Sequence, residues 1–266
     1  MNLGASAIVL RPRTLAETLD LACRLSCSIA LGLYLRLAAV VLLPCLAGCL
    51  ALRYALGCSW TLVWVVAVSL GAIVQGVFTV AVGRLLFSEE LTTGRVLGLF
   101  GRRLGSYLVM LFLSRGMLAL AATPLFLAVP LVWPRVLVVH EASLLEGAGP
   151  VDAINRASRF IANRAAIALG TIAAFLAVQA GITITAELLG QGLVSEMLQL
   201  GTPFGELFED GGSAFALAGF FLSVPYIATA RFLYYVDSRT RSDGWDVQVR
   251  FMTIAARDAA DARQAA

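Results

Sequence analysis

Long apolar stretches run through this chain and limit its fold more strictly than any other feature. Four of them, over residues 29–54, 60–87, 165–188 and 214–236, are long enough to supply the roughly 20 apolar residues that a membrane-crossing helix needs. Hydrocarbon offers the backbone no water to bond, so a crossing segment must pair its own polar groups as a helix does. Only 14% of the residues are charged, against about 25% in soluble domains. The sequence therefore predicts an all-α polytopic membrane protein.

The stretch 105–140 has two interpretations. At a rise of about 1.5 Å per residue it covers roughly 54 Å, enough for two short crossings of a hydrocarbon core about 30 Å thick. Because proline often marks a break between elements, Pro124 favours a hairpin at this point. We predict spans over 105–122 and 124–140, which makes six in total. A five-span chain with a re-entrant fourth segment is the alternative.

The placement of arginine predicts the orientation of these spans, because cytoplasmic loops carry an excess of positive charge. Arginines cluster within 84–103 and within 156–164, so both regions should be cytoplasmic and an even number of spans must separate them. The N-terminal residues 1–24 and the residues after Val236 are also rich in arginine, whereas the loop 189–212 is acidic and contains none. We therefore expect both termini in the cytoplasm.

Three amphipathic segments, at 14–25, 93–104 and 150–160, each lead directly into an apolar stretch. In the first, Thr14 and Glu17 match the T-x-x-E capping box that begins many helices. We interpret the segments as elbow helices on the cytoplasmic leaflet, where each arginine gains about 1 kcal/mol from anionic headgroups. A lipid-binding or lipid-shaping collar of three helices is the alternative. Either way, anionic membrane lipids are expected partners.

Two arginines fall inside predicted spans at equivalent positions of the first two repeats. Arg36 lies twelve residues after Arg24, and Arg115 lies twelve residues after Arg103. A charge at the centre of a bilayer costs at least about 2.5 kcal/mol, so each of the two needs a partner or a route to the headgroups. One hypothesis is that they bind an anionic group, such as a lipid phosphate, inside the bundle. The structural alternatives are snorkelling, bonds to helix-end carbonyls, or pairing with an acid such as Glu187.

Residues able to carry chemistry are sparse. The five cysteines are interpreted as small apolar side chains, because a metal site usually adds histidine or a second CxxC and the chain has a single histidine. The pair His140-Glu141 continues into Ala-Ser-Leu, so the zinc-binding pattern HExxH is missing, as are a P-loop, a hydrolase elbow and a dinucleotide fingerprint. We expect no catalytic residue, no metal, no cofactor and no nucleic-acid partner. No secretory signal peptide is evident.

Three parts of the chain resemble one bacterial family of multi-span membrane proteins. They are the opening Arg11–Leu25 (RPRTLAETLDLACRL), a middle signature made of His140-Glu141 and Asn155-Arg156-Ala157-Ser158, and the closing Ala230–Asp246. The family is the glycerophosphodiester phosphodiesterase membrane domain, and the catalytic barrel of its name-giving members is absent from this sequence. The resemblance implies a bacterial inner-membrane protein of about six helices without phosphodiesterase activity.

The same resemblance directs attention to charged residues near the predicted cytoplasmic ends. We hypothesise a salt-bridge cluster there, in which three charged residues at the end of the last predicted span form ion pairs with one of two further residues. Its members are Asp237, Arg239 and Arg241, with Arg156 or Glu141 as the partner.

Two functional hypotheses are considered beside a third, a membrane enzyme. The first is a non-enzymatic subunit that scaffolds a larger membrane assembly as a homo- or hetero-oligomer, supported by small-residue faces such as Gly101-x-x-x-Gly105 that permit close helix contact. The second is a lipid-binding or small-solute transport protein in which Arg36 and Arg115 line a polar cavity. If the two arginines converge on one cavity, the second hypothesis is favoured; if they diverge, the first is.

Overall fold

A computed structural model describes residues 13–86, 91–124, 126–162 and 164–243, and these ranges contain helices and turns but no strand. The helices are α1 (Leu15–Arg24), α2 (Leu31–Leu37), α3 (Leu43–Tyr54), α4 (Trp60–Leu85), α5 (Thr93–Gly101), α6 (Leu104–Ala122), α7 (Val129–Val132), α8 (Val139–Glu146), α9 (Pro150–Ile161), α10 (Ala165–Gln191) and α11 (Ala214–Asp243). The predicted all-α class is confirmed. The predicted tail 243–266 lies outside the described residues, apart from Asp243.

Five helical stretches in the described part of the chain are long and apolar enough to cross a membrane. They are Leu31–Tyr54, Trp60–Leu85, Leu104–Ala122, Ala165–Met197 and Ala214–Ser242. Wider π-helical turns at Ala38–Leu42 and Gly192–Met197 make the first and fourth stretches continuous. These five stretches correspond to five of the six predicted spans. In the second span, Phe87 lies outside the described residues.

The remaining predicted span, 124–140, is wrong as a continuous helix. The chain forms the short α7, a 3₁₀ turn at Pro134–Val136, and then α8. Proline has no backbone N–H to donate and restricts the residue before it, so Pro130 and Pro134, four residues apart, favour a break in the helix. The exposed Arg135 also lies in this segment, where a lipid-facing helix would carry it at a high cost.

The broken segment nevertheless returns the chain to the level at which α6 begins. Arg103, just before α6, donates from Nη1 to the carbonyl oxygen of Leu144 at 3.0 Å. One turn into α6, the Tyr107 hydroxyl lies 2.6 Å from Nδ1 of His140. The segment that follows α6 therefore covers the length of that helix in the opposite direction, although only part of it is helical.

The two ends of the bundle carry opposite charge. At one end, the backbone N–H of Arg13 donates to Asp237 at 2.7 Å, so the start of α1 meets the last turns of α11. At the other end, the Tyr54 hydroxyl donates to the Phe204 carbonyl at 2.8 Å, beside the acidic loop 198–213. We call these the arginine-rich end and the acidic end.

The helix α11 forms the centre of the bundle and packs against α10, α4 and α1. Its approach to α10 is close at Gly219, where an added Cβ would lie 2.6 Å from the Ala186 Cβ and 3.0 Å from the Thr183 Cα. Its approach to α4 is close at Gly71, where an added Cβ would meet the Phe220 ring at 2.9 Å. Small residues thus set the spacing between α11 and two of its neighbours, α10 and α4.

The amphipathic segments form helices, each with one face against the bundle. The capping box predicted at Thr14 and Glu17 is confirmed, with both of its hydrogen bonds present. In α9 the buried residues are Ala153, Ala157 and Ile161, whereas Val151 is exposed. The small side chains of Ala153 and Ala157 let α9 pack closely against α6 and α8.

A buried carboxylate on α10 holds the loop at the acidic end. Glu187 accepts hydrogen bonds from the backbone N–H of Leu207 at 2.9 Å and from the side chain of Gln191 at 3.3 Å. The hydroxyl of Ser213 donates to its other oxygen. Glu187 is thus engaged by the loop and does not pair with either Arg36 or Arg115.

We expect Glu187→Ala to loosen this loop. The change leaves the half-buried Leu207 N–H and the buried Ser213 hydroxyl without the Glu187 acceptor. Hydrogen bonds to charged groups contribute about 1.5–3 kcal/mol each. Limited proteolysis within 198–213 and the thermal unfolding midpoint in detergent measure the effect. Glu196→Ala removes an exposed carboxylate from the same end and is the control. Equal protease resistance in both variants would contradict the assigned role.

Candidate functional site

A cavity of about 220 Å³ lies among α4, α6, α10 and α11, with Trp133 of the broken segment in its wall. Four long polar side chains face it, one from each of the four helices: Gln75, Arg115, Gln179 and Arg231. The rest of the wall is largely apolar and aromatic. A few convergent polar groups in an apolar pocket are typical of a small-molecule site.

The four polar residues lie near the middle of their helices. Gln75 is central in α4, Arg115 in α6, Gln179 in α10 and Arg231 in α11. At about 1.5 Å per residue, Arg115 is roughly 16 Å from the start of its helix. Polar and ionisable side chains at such depth are expensive in a membrane, which makes them candidates for function.

An internal ion pair fixes Arg231 on one wall of the cavity. Its Nε lies 3.7 Å from Oε1 of Glu141, whose side chain is fully buried, and its Nη2 donates to the Leu137 carbonyl. Burial raises the pKa of the Glu141 carboxyl above its ordinary value, and the Arg231 guanidinium opposes that rise. Because the pair is nearly neutral overall, it leaves the positive charge of Arg115 uncompensated.

A hydrogen-bonded tyrosine and histidine hold in place the helix that bears the Glu141 of this ion pair. The Tyr107 hydroxyl donates to the Ala72 carbonyl at 2.8 Å, since a carbonyl can only accept. His140 must therefore donate from Nδ1 to the same hydroxyl oxygen, 2.6 Å away. This chain of bonds fixes the histidine tautomer and anchors the start of α8, which carries Glu141.

The cavity holds more hydrogen-bond donors than acceptors. Within the described part of the chain, Arg115 has no ion pair or hydrogen bond, although it lines the cavity. Gln75 is 8% exposed, and its side-chain NH₂ has no hydrogen-bond partner among the described residues. A buried donor without a partner costs about 1–3 kcal/mol, so a ligand that accepts these bonds is favoured.

The mouth of the cavity opens on the side of the bundle. Val68 on α4 and Leu176 on α10 line the cavity, yet they are 51% and 47% exposed. Arg115 is also exposed at this opening. Since large aliphatic side chains point outward here, the mouth faces the surroundings that these helices prefer, which are apolar.

The two arginines predicted to act together lie apart. Arg36 is exposed on α2 and contributes nothing to the cavity that Arg115 lines. Arg115 lines the cavity together with Arg231 instead. Of the two arrangements considered from the sequence, Arg36 and Arg115 follow the divergent one, which by that criterion favours the scaffold hypothesis. A cavity with converging polar groups is nevertheless present, formed at Arg115 with Arg231 rather than with Arg36.

The residues of the hypothesised salt-bridge cluster fall into separate groups. Arg156 forms an ion pair with Glu146, and Nη1 of Arg239 lies 3.6 Å from the same carboxylate. The Tyr235 hydroxyl donates to Glu146 at 2.5 Å. Arg156 and Arg239 are thus joined through Glu146, a residue that the sequence did not single out.

Asp237 and Arg241 form the second group. Nε of Arg241 donates to the Asp237 carboxylate at 2.8 Å, and its Nη2 donates to the Arg13 carbonyl at 2.8 Å. These bonds join the last turns of α11 to the start of α1. Glu141 belongs to neither group, because it is buried beside Arg231.

Sequence reasoning missed three of the four polar residues of the cavity. Gln75, Gln179 and Arg231 were available as polar residues inside long apolar stretches. Arg231 was noted only as part of the closing stretch Ala230–Asp246, which resembles the membrane-domain family. A search for every polar residue near the centre of a span, rather than for repeat-related arginines, would have found all four.

The cysteines lie outside the cavity. Cys23 and Cys27 are exposed, Cys49 is buried, and Cys45 and Cys58 are half-buried, all as free thiols. Among the described residues, no group of three or more histidine, cysteine or acidic side chains is arranged to hold a metal ion.

Comparison with protein-family models, with characterised proteins and with solved structures finds no match for this chain. The resemblance to the glycerophosphodiester phosphodiesterase membrane domain therefore stays a prediction.

Proposed function

We propose that the protein is an integral membrane protein of the bacterial inner membrane that binds an anionic amphiphile in the cavity between α4, α6, α10 and α11. The acid group, a phosphate or a carboxylate, lies near the middle of the bundle. The hydrocarbon part leaves through the side opening. The activity is binding or carriage of the amphiphile, without covalent chemistry.

The observation that supports this proposal is the convergence of Arg115, Arg231, Gln75 and Gln179 on one cavity. The buried Gln75 amide brings a donor that nothing within the described residues accepts, and the exposed Arg115 lines the same cavity. Guanidinium groups form strong, often bidentate hydrogen bonds with carboxylate and phosphate. In a low-dielectric site, such bonds offset part of the desolvation of the ligand.

The surrounding residues select an amphiphile over a small hydrophilic anion. Val68 and Leu176 at the mouth give an alkyl chain an apolar exit, and Phe175 and Phe220 line the inner wall. The Glu141 carboxylate holds Arg231 in place and limits the net charge, so a single negative charge on the ligand balances Arg115. A choline headgroup is disfavoured, because its cation would lie beside guanidinium groups.

The arginine-rich end is proposed to face the cytoplasm, as arginine placement favours. In this orientation the acidic loop 198–213 faces outward. The exposed arginines of α5 and α9 would then lie at the level of anionic headgroups, with anionic lipids as partners.

The scaffold hypothesis stays a prediction of the sequence. Among the described residues, an added Cβ at Gly101 or Gly105 has no neighbour within 4 Å. That surface is open, but small residues alone do not identify a partner.

The test is native mass spectrometry of the delipidated full chain in a neutral detergent, titrated with phosphatidylglycerol, oleate, phosphatidylcholine or glycerol phosphate. We expect phosphatidylglycerol or oleate to bind at one saturable site. Arg115→Gln should weaken that binding by about 1.5–3 kcal/mol, roughly ten- to a hundred-fold in Kd. Gln75→Leu should weaken it by less, because a neutral donor is lost.

The matched control is Arg36→Gln, which removes the equivalent arginine of the first repeat from an exposed position. Its affinity should equal that of the unmodified chain. Equal losses in Arg36→Gln and Arg115→Gln would overturn the proposal, since binding would then reflect general charge. Binding of glycerol phosphate alone would indicate a soluble anion, and tight phosphatidylcholine binding would contradict recognition of net negative charge.

A further inference from the structure

A second cavity, of about 600 Å³, opens at the arginine-rich end of the bundle. It lies where α4 ends, between α5, α8, α9 and the last turns of α11. It is lined by one carboxylate and five arginines: Glu146, Arg84, Arg102, Arg103, Arg156 and Arg239. A neighbouring cavity of about 600 Å³ shares Glu146, Arg156 and Arg239, and adds Arg159 and Arg241. We call the two together the basic cleft.

The arginines of the basic cleft differ in what they already bind. Arg103 is occupied by the carbonyls of Ser143 and Leu144, so it closes the last turn of α8. Arg156 and Arg239 hold Glu146. Arg84 and Arg102 are exposed and form no hydrogen bond or ion pair within the described residues.

Glu146 acts as an internal occupant of the basic cleft. Its side chain is only 6% exposed, while that of Arg156 is 46% exposed. The carboxylate therefore lies at the floor of the cleft, and two guanidiniums and the Tyr235 hydroxyl converge on it. The chain's own carboxylate is thus held by guanidinium groups and a hydroxyl, and the exposed Arg84 and Arg102 line the same cavity.

We propose that the basic cleft binds a phosphate-bearing anion with at least two negative charges. The phosphate oxygens accept hydrogen bonds from Arg84 and Arg102 and share Arg156 with Glu146. Guanidinium groups suit this ligand because their planar donors match phosphate oxygens in pairs. The cleft is separate from the intramembrane cavity, so this site does not depend on the amphiphile proposed there.

Two sources supply this chemistry. One is a lipid with a doubly charged headgroup, reaching the cleft from the adjacent leaflet beside α5 and α9. The other is a soluble diphosphate from the aqueous phase. Both place the same group on the same arginines, and they differ only in whether a hydrocarbon tail is present.

The experiment measures binding of two probes to the full chain in a neutral detergent. The probes are inorganic pyrophosphate, followed by calorimetry, and phosphatidic acid, followed by native mass spectrometry, with phosphatidylcholine as the neutral reference. We expect saturable binding of at least one probe. Arg102→Gln should weaken it about tenfold, since one charged donor is removed.

Glu146→Gln should change the affinity for the probe in the opposite direction to Arg102→Gln. Removing the competing negative charge while keeping a side chain that hydrogen-bonds should tighten binding by about tenfold or less. If that variant fails to fold, Arg102→Gln and Arg84→Gln still test the proposal, because both residues are exposed and their replacement should leave folding intact. Arg36→Gln is the charge-matched control away from the cleft, and Arg115→Gln is the control for the intramembrane cavity.

Each outcome has a definite meaning. Pyrophosphate binding that weakens in Arg102→Gln supports the site with a soluble ligand, and phosphatidic acid binding that weakens in the same way supports a lipid. The proposal is overturned if neither probe binds, or if Arg36→Gln weakens binding as much as Arg102→Gln does. Weakening in Arg115→Gln alone would assign the binding to the intramembrane cavity, which overturns the cleft but not the proposed function.

Discussion

Gly219→Leu is expected to abolish the folded bundle, and Gly219→Ala to destabilise it. An added Cβ at this position would lie 3.0 Å from the Thr183 Cα and 3.1 Å from the Ile182 carbonyl oxygen. These are backbone atoms of α10, which move only if the whole helix moves. Overpacking of a well-packed contact costs about 1–3 kcal/mol, which exceeds the roughly 1 kcal/mol that alanine gains over glycine in a helix.

The matched control for Gly219 is Gly181→Ala on α10. An added Cβ at Gly181 has no neighbour within 4 Å, so the variant should equal or slightly exceed the stability of the unmodified chain. The measurements are the yield of monodisperse protein after extraction and the thermal unfolding midpoint. If Gly219→Ala unfolds at the same temperature as Gly181→Ala, the close α10–α11 contact is not formed as described.

Arg231→Met is expected to destabilise the protein by about 3–5 kcal/mol. The change leaves Glu141 fully buried without its cation, and Coulomb attraction can no longer offset the lost hydration. The double variant Arg231→Met with Glu141→Gln removes both charges and should recover much of the loss. The difference between the double variant and the sum of the single ones measures the coupling of the pair.

The loss in Arg231→Met should also depend on pH. Burial raises the pKa of Glu141, and removing Arg231 removes the group that opposes this rise. The carboxyl of the variant therefore takes up a proton at a higher pH than it does in the unfolded chain. Such a group stabilises the folded state at low pH, and the benefit is lost as pH rises through the folded pKa. The loss of stability in the variant should be smaller at pH 5 than at pH 8. A loss that does not depend on pH would show that the charge of Glu141 is not its cause.

Helix placement followed from local sequence. The long apolar stretches identify five helices because a chain in hydrocarbon has little choice of backbone structure. The capping box at Thr14 and Glu17 is likewise a contact between neighbours in sequence. The error at 124–140 has a local cause as well, since Pro130, Pro134 and the charged Arg135 were present in that stretch.

The candidate site was only partly predictable. Arg115 was identified because a charge inside an apolar stretch stands out by its cost. Its pairing with Arg36 was inferred from equivalent repeat positions, but such positions do not fix which way two helices face. Arg231 and Gln75 meet Arg115 through the packing of α4, α6 and α11.

The sequence by itself determined the class of this protein, the position of its apolar helices and the charge difference between its ends. Each of these depends on composition or on residues a few positions apart. The tertiary structure alone decided that Arg115 faces Arg231, that Glu146 joins Arg156 to Arg239, and that Glu187 holds an outer loop. Rotation of a helix by a fraction of a turn changes which side chains meet. That rotation is fixed by contacts such as Gly219 on Ala186, between residues far apart in the chain.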